Sequence, residues 1–390
     1  MQEKMTPKLI IVLGMHRAGT STVTRGLEVL GVSLGNRLLP PMEYVNPKGF
    51  FEDVEVLTLN DEMLSAIGSD WYRVSPIDAS QLESLKQQGF IQRAADLIQK
   101  KCLDLPVFGL KDPRISKLLP FWNQVFDFLG YETGFVLALR NPLSVAKSLK
   151  KRDGLQKSHS FYLWLAYMLE SLRSSQGHPR LVVDYDQLIT SPQAQINRVA
   201  DTFGLKVDAL AMRTYTTDFL ENELRHTTHT TGDLLTTPAC PKLIKEVFDC
   251  LRQAASDQIS LQDPAIKKAC DAWWDELEQQ RIPFELIDDQ LGRIDQLKQD
   301  ASLRESKIAQ MSQEKLAQEA TVTELEQTVA DQQSRISHLQ DQTATLDQQR
   351  LALQEALEQA KATERLLLNS RSWRLTYPLR YVRGMLDRRK

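Results

Sequence analysis

Five consecutive apolar residues, Leu9 to Leu13, stop abruptly at Gly14, and a second glycine, Gly19, precedes a helix-forming stretch. The segment KLIIVLGMHRAGTSTVTRGLEVLGV (Lys8 to Val32) therefore reads as a buried strand, a glycine-bounded turn over Gly14–Gly19 and a helix starting near Thr20. Such a turn aims backbone N–H groups and a helix N-terminus at one point, which favours a phosphate or another anion there. The nucleotide-hydrolase pattern G-x-x-x-x-G-K-[ST] requires a Lys where this chain carries Thr20, and the cation of the loop, Arg17, lies inside it instead. That departure argues against an ordinary ATPase.

The alternation of strand and helix patterns continues to about Ile287. Further strand candidates are Pro106–Leu110, Gly134–Leu139 and Arg180–Val183, each followed by helical periodicity. This order implies parallel strands joined by crossover helices, an α/β fold with a P-loop-type parallel sheet flanked by helices. With 390 residues the chain exceeds one typical core, and its character changes near residue 285. Beyond Pro283 there is no proline until Pro378, and no glycine lies between Gly292 and Gly384.

An apolar heptad runs through this second region. One seam position holds Ile294, Ala301, Ile308, Val322, Val329, Ile336 and Leu357, and the other Leu297, Met311, Leu325, Leu339, Leu346, Leu353, Ala360 and Leu367. Lys315, Thr343, Arg350, Arg304, Gln318 and Gln332 interrupt it. β-Branched residues at the first position with Leu at the second favour a parallel two-stranded coiled coil, hence a homodimer. The rod would be roughly 110–120 Å long. A solitary charged helix is the alternative, disfavoured because a one-stripe helix of this length cannot bury its stripe alone. The expected organisation is an α/β domain over residues 1–287, a coiled coil over 288–368 and a basic aromatic tail over 369–390. These regions carry net charges of about −3, −6 and +6.

Apolar content of 42% and charge of 25% are ordinary for soluble globular protein, and no apolar run is long enough to span a membrane. The N-terminus MQEKMTPK has no apolar signal region, which argues against secretion. Cys102, Cys240, Cys250 and Cys270 show no metal-type spacing and read as buried reduced thiols of a cytoplasmic protein. No metal site and no nucleic-acid partner are expected.

A second motif is FVLALRNPLSVAKSLKKR (Phe135 to Arg152). An apolar strand ends at Leu139, Arg140 emerges at its carboxyl end, and Asn141-Pro142 suits an N-cap followed by the first helical position. Ser148, seven residues after Asn141, lies on the same helix face, so Arg140 and Ser148 can converge on one anion. An ordinary helix cap is the competing explanation.

Together the two motifs resemble the sulfotransferase family, which uses 3′-phosphoadenosine 5′-phosphosulfate as donor. HRAGTS looks like that family's 5′-phosphosulfate loop, with Arg17 in place of its frequent Lys, then Ala18, Gly19, Thr20 and Ser21. Arg140 and Ser148 look like its 3′-phosphate site at the family's eight-residue spacing. NPKGFFED (Asn46 to Asp53), FGLKDPRISKLLPFW (Phe108 to Trp122) and LVVDYDQLITSP (Leu181 to Pro192) resemble bacterial members in particular. The likeness covers residues 8–205 and extends toward 285.

The resemblance implies 3′-phosphoadenosine 5′-phosphosulfate as co-substrate, without a metal, and transfer to a hydroxyl acceptor. Arg17 and the loop amides would neutralise charge on the leaving phosphate. Glu52 is the first choice for the base that takes the acceptor's proton, because related enzymes acting on tyrosyl side chains are similar in using a Glu after the first helix. His16, Asp53 and Asp112 follow. The competing role for Glu52 is to stabilise the dipole of the helix beginning near Val54. Lys111 and Arg114, just past a strand end, would bind donor sulfate or an anionic acceptor, or else form an ordinary ion pair. His226 and His229 lack further ligands to complete a metal shell and read as loop residues. A nucleotide contact from Arg225 or His226 is the alternative there.

Two other classes compete. A P-loop kinase would use Leu181 to Tyr185 as its Walker B strand, and a non-catalytic scaffold would carry a vestigial nucleotide fold on the coiled coil. The implied acceptor is a cell-envelope saccharide, since NSRSWRLTYPLR (Asn369 to Arg380) resembles terminal segments of bacterial glycosyltransferases that assemble surface polysaccharides. The tail mixes basic and aromatic residues, which suits an anionic membrane surface or a polysaccharide-assembly partner, at the inner face of the membrane. Pro378 is expected to interrupt any continuous amphipathic helix there, and a solvated basic tail is the plain alternative.

Overall fold

The computed structural model describes residues 7–43, 46–220 and 231–387. Four strands, β1 (Lys8–Leu13), β2 (Val107–Lys111), β3 (Glu132–Leu139) and β4 (Arg180–Asp184), form one parallel sheet in the order β2-β1-β3-β4. Ile11 of β1 lies opposite Leu110 on one side and Phe135 on the other. Each connection passes through helices, as parallel pairing requires, so the sheet is covered on both faces and its central strands are apolar without alternation. Successive side chains still point to opposite faces. Leu9, Ile11 and Leu13 join one core, with Phe135, Leu137 and Leu139. Ile10 and Val12 join the other, with Val136 and Ala138.

The first core is closed by the helices Leu119–Leu129 and Lys157–Ser174, which bury Trp122, Phe161, Trp164 and Met168. The second is closed by Thr20–Leu27 and Pro192–Phe203, through Val23, Leu27, Ile196 and Phe203. From β1 the chain moves outward to β2 and then crosses to β3 on the far side. The strand order therefore reverses beside β1, and the crevice at the carboxyl ends of β1 and β3 is where such sheets receive ligands.

The chain divides into two compact units, Met1–Asp295 and Gln296–Lys390. The long helix runs Arg281–Asn369 and so begins before the rod expected from the heptad. Pro283 sits in its first turn, where a missing N–H costs nothing. Its opening turns belong to the first unit. Phe284 packs on Tyr162 with ring centroids 5.2 Å apart, and Asp288 accepts hydrogen bonds from the amides of Val74 (3.0 Å) and Ser75 (2.9 Å). Asp295 pairs with Arg73 at 3.2 Å and accepts the hydroxyl of Tyr72. These contacts carry the first unit past Ile287.

In the second unit the seam residues Val322, Leu325, Val329, Ile336, Leu339 and Leu346 are each more than half exposed. The tail forms two helices, Arg371–Leu375 and Tyr377–Asp387. The break expected at Pro378 falls two residues earlier, at Thr376, and Pro378 occupies the first turn of the second helix. All four cysteines are buried and none is bridged. Among the described residues no helix is long and apolar enough to cross a membrane.

One close approach in this fold is testable. A Cβ at Gly134 on β3 would meet Phe203 Cε1 at 2.4 Å, and Phe203 is locked in the second core. Gly134→Ala is expected to lower unfolding free energy by about 1–3 kcal/mol through overpacking, read by urea denaturation.

Candidate active site

The loop between β1 and the helix Thr20–Leu27 is shaped by backbone demands that only some residues meet. Gly14 has φ 142° and Gly19 has φ 86°. A Cβ at Gly14 would stand 2.8 Å from the carbonyl of Ala138, and one at Gly19 would stand 2.3 Å from Tyr185 Cδ2. Between them Arg17 adopts φ 70°, a left-handed conformation that is costly for a side-chain-bearing residue and that clusters at functional sites. The Gly14 amide donates to Ser116 Oγ (2.8 Å), and the Ala18 amide to the carbonyl of Met15 (3.0 Å). Among the described residues no side chain caps the helix that follows; the Thr22 amide turns back to the Gly19 carbonyl (3.0 Å), so the amides of Thr20 and Ser21 and the helix dipole are the groups that favour an anion.

Two guanidinium groups are built into this loop. Arg140 leaves the end of β3 and donates from Nη1 to the carbonyl of Arg17 at 3.1 Å. Its guanidinium lies 4.4 Å from the centre of the Tyr185 ring. It is 9% exposed, and its Nε meets no acceptor among the described residues. Arg17 Nε in turn donates to Ser148 Oγ at 2.8 Å. The next helix starts as expected, with Asn141 Oδ1 accepting from the Leu143 amide (2.9 Å) and Pro142 at the first position. Ser148 therefore contacts Arg17, and Arg140 reaches the same residue through the Arg17 carbonyl.

Burial first, then the charges of Arg152 and Arg140, push the Arg17 pKa downward. Like charges this close are tolerated where an anion will sit between them. Arg152 also lies 5.1 Å from the Trp71 ring centre.

The carboxylates fall into two kinds. Asp53 caps the helix Val54–Ala66, accepting the amides of Glu55 and Val56, and pairs with Lys101 at 2.6 Å. Asp112 caps Pro113–Lys117 and accepts from Asn60 Nδ2 (2.8 Å) and Arg114 Nη1 (3.0 Å). Arg114 also pairs with Asp61 at 2.5 Å. These groups are committed to the scaffold, and the helix-capping role considered for Glu52 belongs to Asp53.

Glu52 instead turns inward. Phe51, at φ 54°, reverses the chain before it, and Glu52 Oε1 pairs with Lys111 Nζ at 2.6 Å, both side chains buried. Lys111 is the last residue of β2, and its Nζ stands 3.4 Å from the hydroxyl of Ser21 on the loop helix. Ser21 in turn donates to the carbonyl of Phe50 (3.1 Å), which ties the Glu52 segment to the anion loop. Burial raises the Glu52 pKa, opposed by the Lys111 charge, so the carboxylate is more basic than an exposed one.

His16 is buried beside Trp71 (ring centroids 4.7 Å) and Tyr167 (6.2 Å). Its Nε2 has no hydrogen-bond partner among the described residues. Burial, then the charges of Arg152, Arg114, Lys111 and Arg17, hold its pKa well below the usual imidazole range. It is a neutral imidazole surrounded by cations.

Other sequence candidates fare differently. Asp184, the Walker B position of the kinase reading, caps the helix Tyr185–Thr190 by accepting the Gln187 amide (3.0 Å). Burial raises its pKa to about 6. A capping carboxylate so placed is poorly suited to hold a metal. Among the described residues no group of three His, Cys, Asp or Glu side chains could hold a metal ion. Arg225, His226 and His229 lie outside the described residues. Tyr185, Arg152 and Trp71 are site residues that the sequence reading missed; Tyr185 alone carried a usable signal, its place directly after a strand end.

No family model matches the sequence, and no curated protein matches it. Solved structures do. A sulfotransferase domain of the olefin synthase of Synechococcus PCC 7002 aligns with a TM-score of 0.37 at 14% identity, covering 65% of this chain and 97% of that one. A sulfotransferase domain from the curacin biosynthetic pathway aligns at 0.34 and 16% identity, covering 70% and 98%. A sulfotransferase from Mycobacterium tuberculosis aligns at 0.33 and 15% identity, covering 63% and 77%. All three neighbours are sulfotransferases.

Two outcomes are expected from the site's electrostatics. Glu52→Gln leaves Lys111 buried without its counter-charge and should cost about 3–5 kcal/mol, most of it recovered in Glu52→Gln/Lys111→Met. Denaturation of the three proteins checks this. His16, neutral when folded, takes up a proton more readily once unfolded, so its contribution to stability should decline as pH falls below about 6.5. Glu170 and Asp184, with carboxyl pKa values raised by burial to about 7 and about 6, act in the opposite sense, losing stability as pH rises toward those values. The difference between the wild-type and His16→Asn stability curves isolates the histidine. A difference that does not change below about 6.5 would contradict a neutral His16.

Proposed function

We propose that the first unit is a sulfotransferase, moving a sulfuryl group from 3′-phosphoadenosine 5′-phosphosulfate to a hydroxyl acceptor. One observation carries the reading: Arg140, buried, with Nε unmet among the described residues, is bonded to the backbone of the anion loop, while the Arg17 side chain of the same loop bonds Ser148. Two cationic positions around one loop suit a ligand bearing two separated phosphate groups, and the loop lacks the Lys that a nucleotide hydrolase places on its terminal phosphates.

In this reading the amides of Gly19, Thr20 and Ser21, in the loop that Ala18 helps to fold, hold the phosphosulfate end, and Arg140 and Ser148 serve the 3′-phosphate. The acceptor oxygen forms a bond to sulfur as the bond from sulfur to the 5′-phosphate oxygen breaks. Charge gathers on the departing phosphate, where Arg17, Lys111 and the helix N-terminus stabilise it. The acceptor's proton goes to a base at the carboxyl end of the sheet. Glu52, with its raised basicity, is the first choice, and His16, with its unmet nitrogen, is the second. The donor's negative charge would offset the cations that now depress the imidazole.

For the acceptor we favour a cell-envelope saccharide, on the strength of the C-terminal segment Asn369 to Arg380. The exposed seam of the long helix supports pairing of two chains through a parallel coiled coil.

Labelled donor incubated with the protein and a panel of envelope glycans tests the activity. Transfer of label is expected, falling ~10²–10⁴-fold in Glu52→Gln while nucleotide binding persists. No transfer to any hydroxyl acceptor, with magnesium-dependent ATP turnover instead, would replace the reading with a kinase. Light scattering is expected to give twice the chain mass, and a monomeric full-length protein would rule out the coiled coil.

A further inference from the structure

We infer that the C-terminal tail is a docking device for an anionic lipid surface, built as an amphipathic helix braced by a tryptophan. The helix Tyr377–Asp387 places Tyr377, Tyr381 and Met385 one turn apart on a single side, flanked by Val382 on one edge and Arg380 on the other, while Arg383 falls on the opposite side. This apolar side has no cover: Tyr377 is 62% exposed, Tyr381 57%, Val382 57% and Met385 56%. Tyr377 and Tyr381 stack at 6.3 Å, which joins their rings into one platform.

The preceding helix, Arg371–Leu375, is fixed against this one. The Arg380 guanidinium lies 3.5 Å from the centre of the Trp373 ring and donates to Thr376 Oγ1 at 2.6 Å. An indole held beside a cation in this way has the chemistry of a membrane-interface anchor, apolar in body and polar at the tip.

Charge selects the occupant. The tail carries about +6 while the rod before it carries about −6. If the tail merely neutralised the rod, its apolar side would be free to pack on the rod's seam, yet both stand exposed. An anionic bilayer attracts the tail and repels the rod, so it would be met tail first. Basic residues at the edge of and opposite an aromatic and aliphatic face suit the boundary between headgroups and acyl chains. Pairing of two chains would bring two such tails to one surface and raise retention by avidity.

Co-sedimentation of the full-length protein with vesicles tests this. With phosphatidylglycerol–phosphatidylcholine vesicles at low salt the protein should pellet, and with phosphatidylcholine alone it should remain in the supernatant. Binding should weaken as salt rises. Tyr381→Ser/Met385→Ser should reduce binding about tenfold or more, since it removes the inserted face and keeps every charge. Arg374→Glu/Arg383→Glu should reduce it comparably, and neither pair should alter nucleotide binding by the first unit. Failure to pellet with anionic vesicles would overturn the proposal and leave a protein partner as the occupant of the tail. Binding untouched by the apolar pair would overturn it too, since attraction of charge alone needs no amphipathic face.

Discussion

A buried cation that the protein only half satisfies sets the design of this site. Arg140 gives one hydrogen bond to the carbonyl of Arg17 and rests on the Tyr185 ring, but its Nε is left without an acceptor among the described residues. Burying a guanidinium in this state is expensive unless an anion completes it. The loop that Arg140 supports must itself adopt a left-handed Arg17 and two glycines packed against β3 and Tyr185. The two cores flanking the sheet must outweigh that cost.

That arrangement explains how charge is sorted across the site. Acidic groups near the loop are bound to structural duties: Asp53 and Asp112 cap helices, and Asp61 holds Arg114. Glu52 is the exception, inserted beside Lys111 and linked to the loop through Ser21. Burial, reinforced by this bias toward positive charge, keeps His16 neutral. The same bias favours an incoming ligand that is itself anionic, since binding relieves repulsion between Arg17, Arg140 and Arg152.

Much of the fold was legible because its signals are local. Apolar runs ending at Gly14, Lys111 and Arg140 mark strands buried on both faces, and Asn141-Pro142 announces a helix start through cap chemistry alone. The contacts that assemble the site were not legible, since they join distant segments: Arg17 with Ser148, Glu52 with Lys111, and Gly19 with Tyr185. The extent of the first unit was hidden for the same reason. Asp288 and Asp295 look like surface residues of an acidic rod, and only the partners contributed by Arg73, Val74 and Ser75 reveal them as anchors. The long helix was visible from its heptads, whereas the early start at Arg281 depends on the packing of Phe284.

The most direct test of the account is the nucleotide preference of the Arg140 position. Calorimetry should compare adenosine 3′,5′-bisphosphate with adenosine 5′-monophosphate on the wild-type protein and on Arg140→Ala. The account predicts that the wild type prefers the bisphosphate by roughly tenfold or more, the value of a charged hydrogen bond, and that Arg140→Ala abolishes the preference while still binding the monophosphate. Equal affinity of the wild type for both nucleotides, or a preference that survives the substitution, would contradict it.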